Sequence, residues 1–537
     1  MQSFWKSGNA FIWLTGVAAV IGLLMIGGLI VLILRNGLGI FWPDRIEELT
    51  LKDGSKVLGE IWNREEIPQA AQPTSRVRMK IGNRDFYGLD FRWINEADIE
   101  ARRYPDSVFV LERQAWGNFF GYAIALSQSG QTIAKGSRQI AAALPKHLAQ
   151  AGRLLKQINH LEKKVIGDIN YDIEQHRLAI KGLNLRTHDL DRSSQIQEIE
   201  MAIAALQDEY NRHEDHLEHL REQGNTYQLT IQTVDGQTKT ISLLEIVRAF
   251  QPNQMSWRDR AGLYLSRTWE FLTSEPREAN MEGGVFPAIF GTVMMVLLMS
   301  LAVVPFGVLT AIYMREYAKQ GPLVRAVRIA VNNLAGVPSI VFGIFGLGFF
   351  IYTIGGTIDK LFYPEALPAP TYGTGGILWA SLTLALLTVP VVIVTTEEGL
   401  AAVPRAMREA SLALGATKFE TIWRVLLPTA SPAILTGLIL AMARAAGEVA
   451  PLMITGVVKL APSLPLDGHF PYLHLERKFM HLGFHIYDVG FQSPNVEASL
   501  PMVYATTLLL IVIVLTLNLS AILLRNQLRR RFSAGQL

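Results

Sequence analysis

Six long apolar runs restrict the fold of this 537-residue chain more than any other feature of its sequence. A helix that spans a bilayer needs about 20 mostly apolar residues, because lipid offers no partner for backbone polar groups. The runs cover approximately 10–34, 285–312, 332–354, 376–396, 432–456 and 499–524. The first run is longer than the apolar core of a signal peptide, which has roughly 7–15 residues. We therefore predict six retained transmembrane helices.

The charged residues are distributed unevenly along the chain. Charged residues make up 18 % of the whole, but residues 35–284 hold 32 of the 50 Lys and Arg and 35 of the 47 Asp and Glu. We predict an N-terminal helix in 1–34, a folded polar insert in 35–284, a five-helix core in 285–524 and a basic tail in 525–537. The chain has no cysteine, which excludes disulfides, thiolate metal sites and a cysteine nucleophile. Its formal charge of +3 gives no indication of nucleic-acid binding.

Basic residues in the short loops predict the orientation in the membrane, because Lys and Arg accumulate on the cytoplasmic side. They are concentrated after spans two, four and six, where they are Arg315, Lys319, Arg325, Arg328, Arg405, Arg408, Lys418, Arg424, Arg525, Arg529, Arg530 and Arg531. The alternate loops carry Lys360, Lys459, Arg477 and Lys478. We therefore predict that both termini are cytoplasmic and that the insert 35–284 is periplasmic.

The insert combines strand-like and helical sequence. Residues 45–112 and 227–246 have short alternating apolar runs around the turn pairs Asp53–Gly54, Gly82–Asn83 and Asp235–Gly236, a pattern typical of β-hairpins, and we assign Phe86 and Tyr87 to the run after the second pair. Residues 130–223 look helical. Their second half has a heptad seam at Ile199, Ile203, Leu206, Tyr210, His213, Leu217 and Leu220; their first half offers Leu154, Ile158, Leu161, Val165 and Ile169. We predict an α+β insert with an antiparallel helical hairpin or coiled coil.

Three histidines in the second half of this helical stretch are candidate metal ligands. His213, His216 and His219 are spaced three apart, which places the outer two about 120° apart around a helix axis. His213 also falls on the heptad seam. We therefore favour a packed or solvated helix face and predict no metal site.

The loop between spans four and five, approximately 397–430, carries a recognisable motif. It contains Pro404, a run of strong helix formers over 405–414, and a glycine that permits a turn at the end of that run. We expect a short helix, a turn and a second helix, with Pro428 marking the next boundary. The motif residues are Glu409, Ala410, Ser411, Gly415, Val425, Leu427 and Pro428.

These residues resemble the EAA loop of ABC importer permeases, with Ser411 and Val425 as the departures from the family pattern. The segments GGVFPAIFGT at 283–292, LAGVPSIVFGIFGLGFF at 334–350 and RAAGEVAPLMITG at 444–456 resemble the phosphate-importer permeases of the PstA family. The sister family PstC is similar in the loop but differs around span three. The resemblance covers roughly 271–524 and the first span; the large insert is a departure from the family.

The resemblance implies a fold, a function and a set of partners. The fold is an all-α polytopic membrane protein of the ABC importer permease type, here with the α+β insert. The function is transmembrane passage of inorganic phosphate in an ATP-driven importer of the inner membrane. The partners are a second, PstC-like permease subunit, a PstB-like ATPase dimer, a PstS-like periplasmic binding protein and membrane lipid, with no nucleic acid. The EAA loop docks on the ATPase, which binds ATP–Mg; this chain is expected to bind no cofactor.

Span five contains a charged pair, Arg444 and Glu448, whose spacing of four places both side chains on one face of a helix. Charges inside a membrane are costly and usually face a partner or a polar path. One hypothesis is a structural ion pair. The other, which the resemblance favours, is that Arg444 binds phosphate in the translocation path while Glu448 tunes or gates it.

Threonines on span four offer hydroxyl donors to an oxyanion, namely Thr383, Thr388, Thr395 and Thr396, although threonine commonly bonds its own helix instead. Many relatives carry an arginine immediately before the Thr-Thr-Glu-Glu run, where this chain has Val394. The anion-binding hypothesis therefore depends mainly on Arg444.

The chain lacks a phosphate-binding loop, a nucleophile elbow and an HExxH motif, so we expect it not to be an enzyme. Two alternatives to a phosphate permease remain open. The same machinery can carry another oxyanion, such as phosphonate, sulfate or molybdate. The chain can also be a membrane-anchored envelope scaffold or sensor whose insert recruits a partner.

Overall fold

The computed structural model describes residues 9–66, 75–185, 192–493 and 495–533. Outside the described part lie residues 1–8 of the predicted N-terminal segment, 67–74 of the predicted strand region, 186–191 of the predicted helical stretch and 534–537 of the predicted basic tail. The side chains of 9, 10 and 528–533 are also outside it. The chain forms two compact units. The first comprises Met1–Ile40, Thr273–Glu275 and Val285–Leu537, and the second comprises Phe41–Leu272 and Pro276–Gly284.

The α-helices are α1 (Asn9–Gly39), α2 (Arg84–Tyr87), α3 (Ser137–His160), α4 (Ile166–Leu185), α5 (Arg192–Asn225), α6 (Trp257–Thr273), α7 (Phe286–Ile312), α8 (Pro322–Leu334), α9 (Ser339–Phe345), α10 (Gly356–Phe362), α11 (Ile377–Ala402), α12 (Arg405–Ala413), α13 (Lys418–Thr421), α14 (Leu427–Gly447), α15 (Ala450–Thr455), α16 (Leu482–Tyr487) and α17 (Val496–Ser533). Segments of π-helix are Leu161–Val165, Tyr313–Tyr317, Gly346–Gly355, Ile422–Leu426 and Asp488–Gln492. The 3₁₀ turns are Glu96–Asp98, Leu243–Glu245, Glu278–Asn280 and Pro364–Ala366.

The β-strands are β1 (Glu47–Leu51), β2 (Lys56–Glu66), β3 (Ser75–Lys80), β4 (Phe91–Asn95), β5 (Ile99–Arg103), β6 (Phe109–Arg113), β7 (Phe119–Gln128), β8 (Gln131–Lys135), β9 (Tyr227–Gln232), β10 (Thr238–Ser242), β11 (Ile246–Phe250), β12 (Pro276–Arg277) and β13 (Glu282–Gly283).

In the first unit, the described residues form six helices that are long and apolar enough to cross a membrane, as predicted. They are Phe11–Gly39, Phe286–Tyr317, Ser339–Phe362, Ile377–Ala402, Lys418–Gly447 and Val496–Gln527. Span three begins at Ser339 and not near 332, because Pro338 precedes it in an extended conformation and α8 is a separate helix. Span five also differs from the prediction: it begins at Lys418 and ends at Gly447.

The core of the first unit lies where α7, α11 and α14 pack together. Met295 and Met299 of α7, Leu384 of α11, and Ala441 and Ala445 of α14 are all fully buried there. The alanines let the helix backbones approach closely, which is how helices associate when lipid removes the hydrophobic driving force. This packing is the scaffold that positions the candidate site on α11 and α14.

Among its described residues, the second unit contains two larger antiparallel sheets and the two-stranded sheet β12-β13. One of the larger sheets has the strand order β4-β3-β2-β1-β5; the other has the order β10-β9-β7-β6-β11, with β8 paired to β7. Gly54 and Gly236 have positive φ in the turns that join β1 to β2 and β9 to β10. Such turns require φ values that glycine adopts without a steric penalty.

Two predictions for this unit were wrong, one of a strand and one of a helix. Phe86 and Tyr87 lie in the one-turn helix α2, because the neighbouring Asn83 has φ 55° and its side chain exchanges two 2.8 Å hydrogen bonds with the backbone of Phe120. Residues 131–135 form β8 and are not part of the helical stretch, since they pair with the end of β7. Both outcomes depend on β7, a distant segment that local pattern does not reveal.

The helices of the second unit form an antiparallel pair. Ile140 and Leu144 at the start of α3 are buried against a sheet, after which α3 continues through a π-helical turn into α4. The chain then returns as α5, where the Arg221 Nη2 lies 3.2 Å from the Glu162 Oε2. Leu217 of the predicted seam is buried in a cluster with Ile158 and Leu161.

Candidate functional site

The candidate site lies where the fifth membrane helix breaks. Helix α14 ends at Gly447, Glu448 is extended (φ −78°, ψ 135°), and α15 begins at Ala450. The break follows from Pro451: its ring would clash with the carbonyl of the residue four positions earlier, which is Gly447. The chain therefore leaves the helical path at the residue that carries the acidic side chain.

The prediction that Arg444 and Glu448 share one face of a continuous helix was therefore wrong. The two side chains are nevertheless in contact, with 3.5 Å between the Arg444 Nε and the Glu448 Oε1. The side chains are 34 % and 21 % exposed, respectively. The proline two residues after Val449 was a sequence signal for this break.

The contact uses one edge of the guanidinium group. The Nε donates to the carboxylate, whereas among the described residues no carboxylate engages the Nη1 and Nη2 atoms. A guanidinium presents five N–H donors in a planar fork that matches the spacing of two oxygens in a carboxylate or phosphate. The arrangement combines partial charge compensation by Glu448 with donors that remain for an oxyanion.

Three of the four threonines on α11 bond their own helix. The Thr383 hydroxyl donates to the Trp379 carbonyl at 2.7 Å, the Thr388 hydroxyl to the Leu384 carbonyl at 2.8 Å, and the Thr395 hydroxyl to the Val391 carbonyl at 2.8 Å. A hydroxyl has one proton to donate. These three residues, including the predicted site residue Thr395, therefore follow the alternative in which threonine satisfies the local backbone.

Thr396 differs from its neighbours. Its side chain is buried, and its Oγ1 has no hydrogen-bond partner within the described chain. An unsatisfied buried hydroxyl costs free energy that a bound ligand can recover. Of the four threonines, Thr396 alone combines burial with a hydroxyl that makes no described bond.

Helices α11 and α14 approach closely beside these threonines. A Cβ atom on Gly437 of α14 would lie 1.9 Å from the Thr395 Oγ1, so no larger residue fits without movement of a helix. This contact holds the helix that carries Arg444 against the helix that carries Thr396.

The loop between α11 and α14 forms two helices joined by a tight turn. Helix α12 begins directly after Pro404, and Gly415 follows it with φ 85°, in the left-handed region that favours glycine. Helix α13 begins after Thr417, which forms a capping box with Glu420. The Ser411 Oγ lies 3.0 Å from the Thr421 Oγ1 and links the two helices.

Pro428 lies at the start of α14, where a boundary was predicted, but this boundary does not interrupt the membrane span. The chain from Lys418 to Gly447 is one continuous helical span, in which Pro428 follows the π-helical turn Ile422–Leu426. In that turn the Leu427 N–H bonds to the carbonyl of Ile422, five residues earlier. A wider turn tolerates a residue that lacks an N–H group, because the helix there no longer requires the usual bond at that position.

The loop exposes much of its apolar surface. The exposed fractions are 47 % for Leu412, 89 % for Leu414, 65 % for Phe419 and 62 % for Trp423. The rings of Phe419 and Trp423 stack with their centroids 6.2 Å apart. Among the other motif residues, Glu409 and Ala410 are exposed, while Val425, Leu427 and Pro428 are partly buried.

Several contacts of the site were missed from the sequence. The Arg408 Nη2 donates to the Glu316 Oε1 at 2.7 Å and connects α12 to the end of span two. The Arg328 Nη2 donates to the Glu397 Oε1 at 2.9 Å and connects α8 to α11. Both pairs join residues more than 60 positions apart, so no spacing rule could have found them.

A polar cluster lies in the segment between α15 and α16. Asp467 accepts hydrogen bonds from the Arg477 Nη1 at 2.5 Å and from the His469 backbone N–H at 2.9 Å, and its Oδ1 lies 2.9 Å from the His474 Nε2. Burial alone would raise the pKa of Asp467, but these bonds outweigh burial and lower the pKa to about 2.

The three histidines of α5 do not converge. The His213 Nε2 lies 3.8 Å from the Glu209 Oε1, and the His219 Nε2 lies 2.9 Å from the Gln223 Nε2. Within the residues that the structure describes, no group of three His, Asp or Glu side chains is arranged to hold a metal ion. The structure therefore offers no geometric support for the metal alternative.

The matching family model and the most similar relatives point to the same family of proteins. Residues 303–534 match the model of the binding-protein-dependent transport system inner membrane component. The chain is 35 % identical over 252 residues to the phosphate transport system permease protein PstA 1 of Mycobacterium tuberculosis, which covers 46 % of this chain and 73 % of the relative. It is 34 % identical over 251 residues to the phosphate transport system permease protein PstA of Yersinia pestis, with 47 % and 74 % covered.

A more distant relative is the probable phosphate transport system permease protein PstA of Methanocaldococcus jannaschii, at 32 % identity over 240 residues, with 44 % of this chain and 74 % of the relative covered. Among solved structures, an inward-facing form of the MetNI methionine ABC transporter covers 49 % of this chain and 98 % of its own, at 18 % identity and a TM-score of 0.33. That structural likeness is too low to carry an argument. The family match begins after the second unit ends.

Proposed function

Because the chain belongs to the PstA-like permeases among the inner membrane components of binding-protein-dependent transport systems, we propose that it carries inorganic phosphate through the membrane. As an ABC importer permease it is a multi-pass inner membrane protein, and ATP hydrolysis belongs to a separate subunit. Three relatives of 32–35 % identity are named for phosphate transport. The observation that carries the proposal is the arginine at the break of span five.

The role proposed for Arg444 is to bind the oxyanion inside the membrane. A phosphate ion loses much of its hydration when it enters a helix bundle, and a bidentate guanidinium replaces that hydration with charge-assisted hydrogen bonds. Glu448, 3.5 Å from the Nε, offsets the positive charge when the site is empty. In the proposed cycle the anion and this carboxylate compete for Arg444. Phosphate therefore binds to the arginine but can also be released from it.

Thr396 is proposed as a second donor to the anion. It is buried, and its hydroxyl is unsatisfied among the described residues. Thr395 has no such role in the proposal, because its proton is bonded to the Val391 carbonyl. Val394 offers no charge, so this chain would rely on one arginine where many family members are expected to use two.

The loop 397–430 is proposed to dock on the ATPase. Its exposed apolar residues, among them Leu414 and the stacked rings of Phe419 and Trp423, form a surface suited to a protein groove. The loop is continuous with spans four and five, and Arg408 connects it to span two. A displacement of the loop by the ATPase would therefore act on three membrane helices together.

The proposed importer places the loop 397–430 and both termini in the cytoplasm, with residues 35–284 in the periplasm. The basic residues of the loops after spans two and four support this orientation. The complete assembly would contain a PstC-like second permease, a PstB-like ATPase dimer with ATP–Mg, and a PstS-like binding protein. This chain would bind no cofactor of its own.

Transport into reconstituted vesicles tests the proposal. Vesicles that contain the assembled importer and internal ATP should accumulate radiolabelled phosphate in the presence of the binding protein, and omission of ATP is the control. Excess phosphate should suppress the labelled uptake, whereas sulfate, molybdate and a simple phosphonate should not. Equal suppression by sulfate or molybdate would transfer the proposal to another oxyanion.

A second candidate function follows from the second unit, which lies outside the family match. Helices α4 and α5 form the far part of the hairpin, where residues such as Met201 are exposed. In this alternative the chain is an envelope scaffold or sensor whose hairpin recruits a partner. Loss of partner recruitment without loss of uptake, on truncation of the hairpin, would support an added role of this kind.

A further inference from the structure

Helix α6 buries Leu263 and Phe271 on one side, as a surface helix usually does, and exposes three large apolar residues on another side. The exposed fractions are 73 % for Trp257, 67 % for Leu265 and 68 % for Trp269. At 100° per residue these three positions fall within about 120° of the helix circumference. We call them the tryptophan face of α6.

The opposite side of α6 is held by ion pairs within the second unit. The Arg267 Nε donates to the Glu112 Oε1 of β6 at 2.7 Å, and Glu270 accepts from the Arg248 Nη2 of β11 at 2.8 Å and from the Arg277 Nη1 at 2.6 Å. Glu112 is buried, and the two arginines beside it lower its pKa although burial opposes that shift. These pairs fix the rotation of the helix and so keep the tryptophan face exposed.

Two aromatic residues from the start of the second unit lie against α6. Phe41 contacts the rings of Tyr264 and Phe271, with centroids 6.1 Å and 5.3 Å apart, and Trp42 lies 6.1 Å from Tyr264. Phe41 stands only two residues after Gly39, the last residue of the first membrane span. Because each residue reaches at most about 3.6 Å, only a few ångströms of chain join the end of that span to Phe41, which packs against α6.

The composition of the exposed face matches the membrane interface. Tryptophan is enriched at the level of the lipid headgroups, where its ring meets acyl chains and its N–H meets water and phosphate. The exposed Arg258 lies between Trp257 and Trp269 around the helix and can extend its charged group to lipid phosphates. A helix with such a face lies in the plane of the interface.

We propose that the tryptophan face of α6 lies in the headgroup region of the leaflet at which the first span ends, and that its ligand is phospholipid. This contact tethers the second unit to the bilayer in addition to its covalent links. It goes beyond the transport function, because it assigns a lipid-binding surface to the part of the chain outside the family match. A protein partner on the same face is the competing outcome.

Site-directed spin labelling tests the proposal directly, since this chain has no cysteine of its own and can be labelled at one introduced cysteine before assembly with its partners. Leu265→Cys is labelled in the assembled importer in lipid nanodiscs, and collisions with oxygen and with a water-soluble nickel chelate are compared. Met201→Cys, at a 62 % exposed apolar residue of α5, is the matched control. Gly262→Cys provides a second position on α6, where a Cβ meets nothing within 4 Å.

Lipid contact predicts that the ratio of oxygen to nickel collisions at Leu265→Cys is several-fold higher than at Met201→Cys, with Gly262→Cys intermediate or equally high. If the label at 265 collides with the nickel chelate as often as the label at 201, the face is in water and the proposal is wrong. If neither reagent reaches position 265, a protein covers the face, and the proposal is equally overturned. The collision ratios are measured without any transport assay, so this test is independent of the proposed phosphate transport.

Discussion

Arg444 and Glu448 are in contact across the end of a helix: the Nε and Oε1 atoms are 3.5 Å apart, although α14 ends at Gly447 between the two residues. The contact joins a side chain on a regular helix to one on extended backbone. Arg444 lies on a helix that packs against α11, whereas Glu448 lies on backbone outside that helix. In the proposed role, this carboxylate competes with the anion for the arginine.

The first prediction concerns Arg444. Arg444→Gln should reduce ATP-driven phosphate uptake by about 10- to 100-fold, because a charged hydrogen bond to the anion contributes about 1.5–3 kcal/mol. Arg444→Lys should show an intermediate loss, since lysine keeps the charge but not the planar fork. Lys360→Gln, at an exposed residue in the last turn of span three, is the control and should leave uptake unchanged. Normal uptake by Arg444→Gln in a fully assembled importer would remove the proposed role.

The second prediction concerns Gly415. Gly415→Ala should lower the amount of phosphate transported per ATP hydrolysed, because an L-residue at φ 85° costs about 1–2 kcal/mol and the turn between α12 and α13 will relax. A Cβ there meets nothing within 4 Å, so the effect is conformational and not steric. The measurement is the ratio of uptake to ATP hydrolysis.

Gly152→Ala in α3 is the matched control for Gly415. It also has open space around a Cβ, but it lies within a regular helix, where alanine is favoured by about 0.5–1 kcal/mol. That variant should keep the transport ratio and should unfold at the same or a slightly higher temperature. An unchanged ratio in Gly415→Ala would contradict the importance assigned to the turn.

The third prediction concerns the pair Arg408–Glu316, which is 2.7 Å apart and has a glutamate side chain that is only 5 % exposed. Arg408→Gln and Glu316→Gln should each reduce uptake per ATP, because each removes the connection between α12 and span two. The double variant should lose less than the sum of the two single losses, with a coupling of about 0.5–3 kcal/mol.

Arg405→Gln is the control for this cycle, since Arg405 is an exposed residue on the same helix. It changes the charge of the loop by the same amount and should leave uptake per ATP unaffected. Strict additivity of Arg408→Gln and Glu316→Gln would show that the two residues act independently, against the prediction.

The fourth prediction concerns pH and Asp467, whose pKa is lowered from 3.8 to about 2. A carboxyl group with a lowered pKa stabilises the folded state fully above its ordinary pKa and loses this contribution as the pH falls toward the folded value. Protection of the segment 464–477 against pepsin should therefore decrease between about pH 4 and pH 2. In Asp467→Asn the protection should be weaker and should not change through that window; an identical pH profile in both proteins would contradict this assignment.

The fifth prediction concerns the far part of the helical hairpin. The two halves of the hairpin are in contact at Glu162 with Arg221 and at Asn184 with Arg192. Ile173 is midway between Glu162 and Asn184, so it lies opposite Gln207, which is about midway between Arg192 and Arg221. Replacement of 174–206 by a short glycine-rich turn should preserve the buried cluster around Leu217 and leave phosphate uptake within about twofold of wild type. Equal amounts of assembled complex are the control. Loss of uptake would show that the hairpin serves transport itself.

Much of the membrane part could be predicted from the sequence, because the length and hydropathy of a span are local properties. The six spans were correct in number, and the insert was separated from them by its charges. Positions near prolines were less accurate: Pro451 ends α14 and Pro428 does not interrupt its helix. A proline is accommodated within a helical span when the turn before it widens to a π-helix, as Ile422–Leu426 does. Whether a turn widens depends on how the whole helix packs, which local sequence does not show.

The sequence by itself determined where apolar and polar segments lie, which loop residues favour helix and turn, and which family the chain resembles. Only the tertiary structure decided that Thr396 is buried without a described hydrogen-bond partner, that Glu316 accepts a hydrogen bond from Arg408, and that α6 exposes Trp257, Leu265 and Trp269. The physical reason is the separation along the chain over which each interaction acts. Hydropathy and backbone preference act over a few neighbouring residues, whereas burial and pairing depend on segments that meet only after the chain has folded.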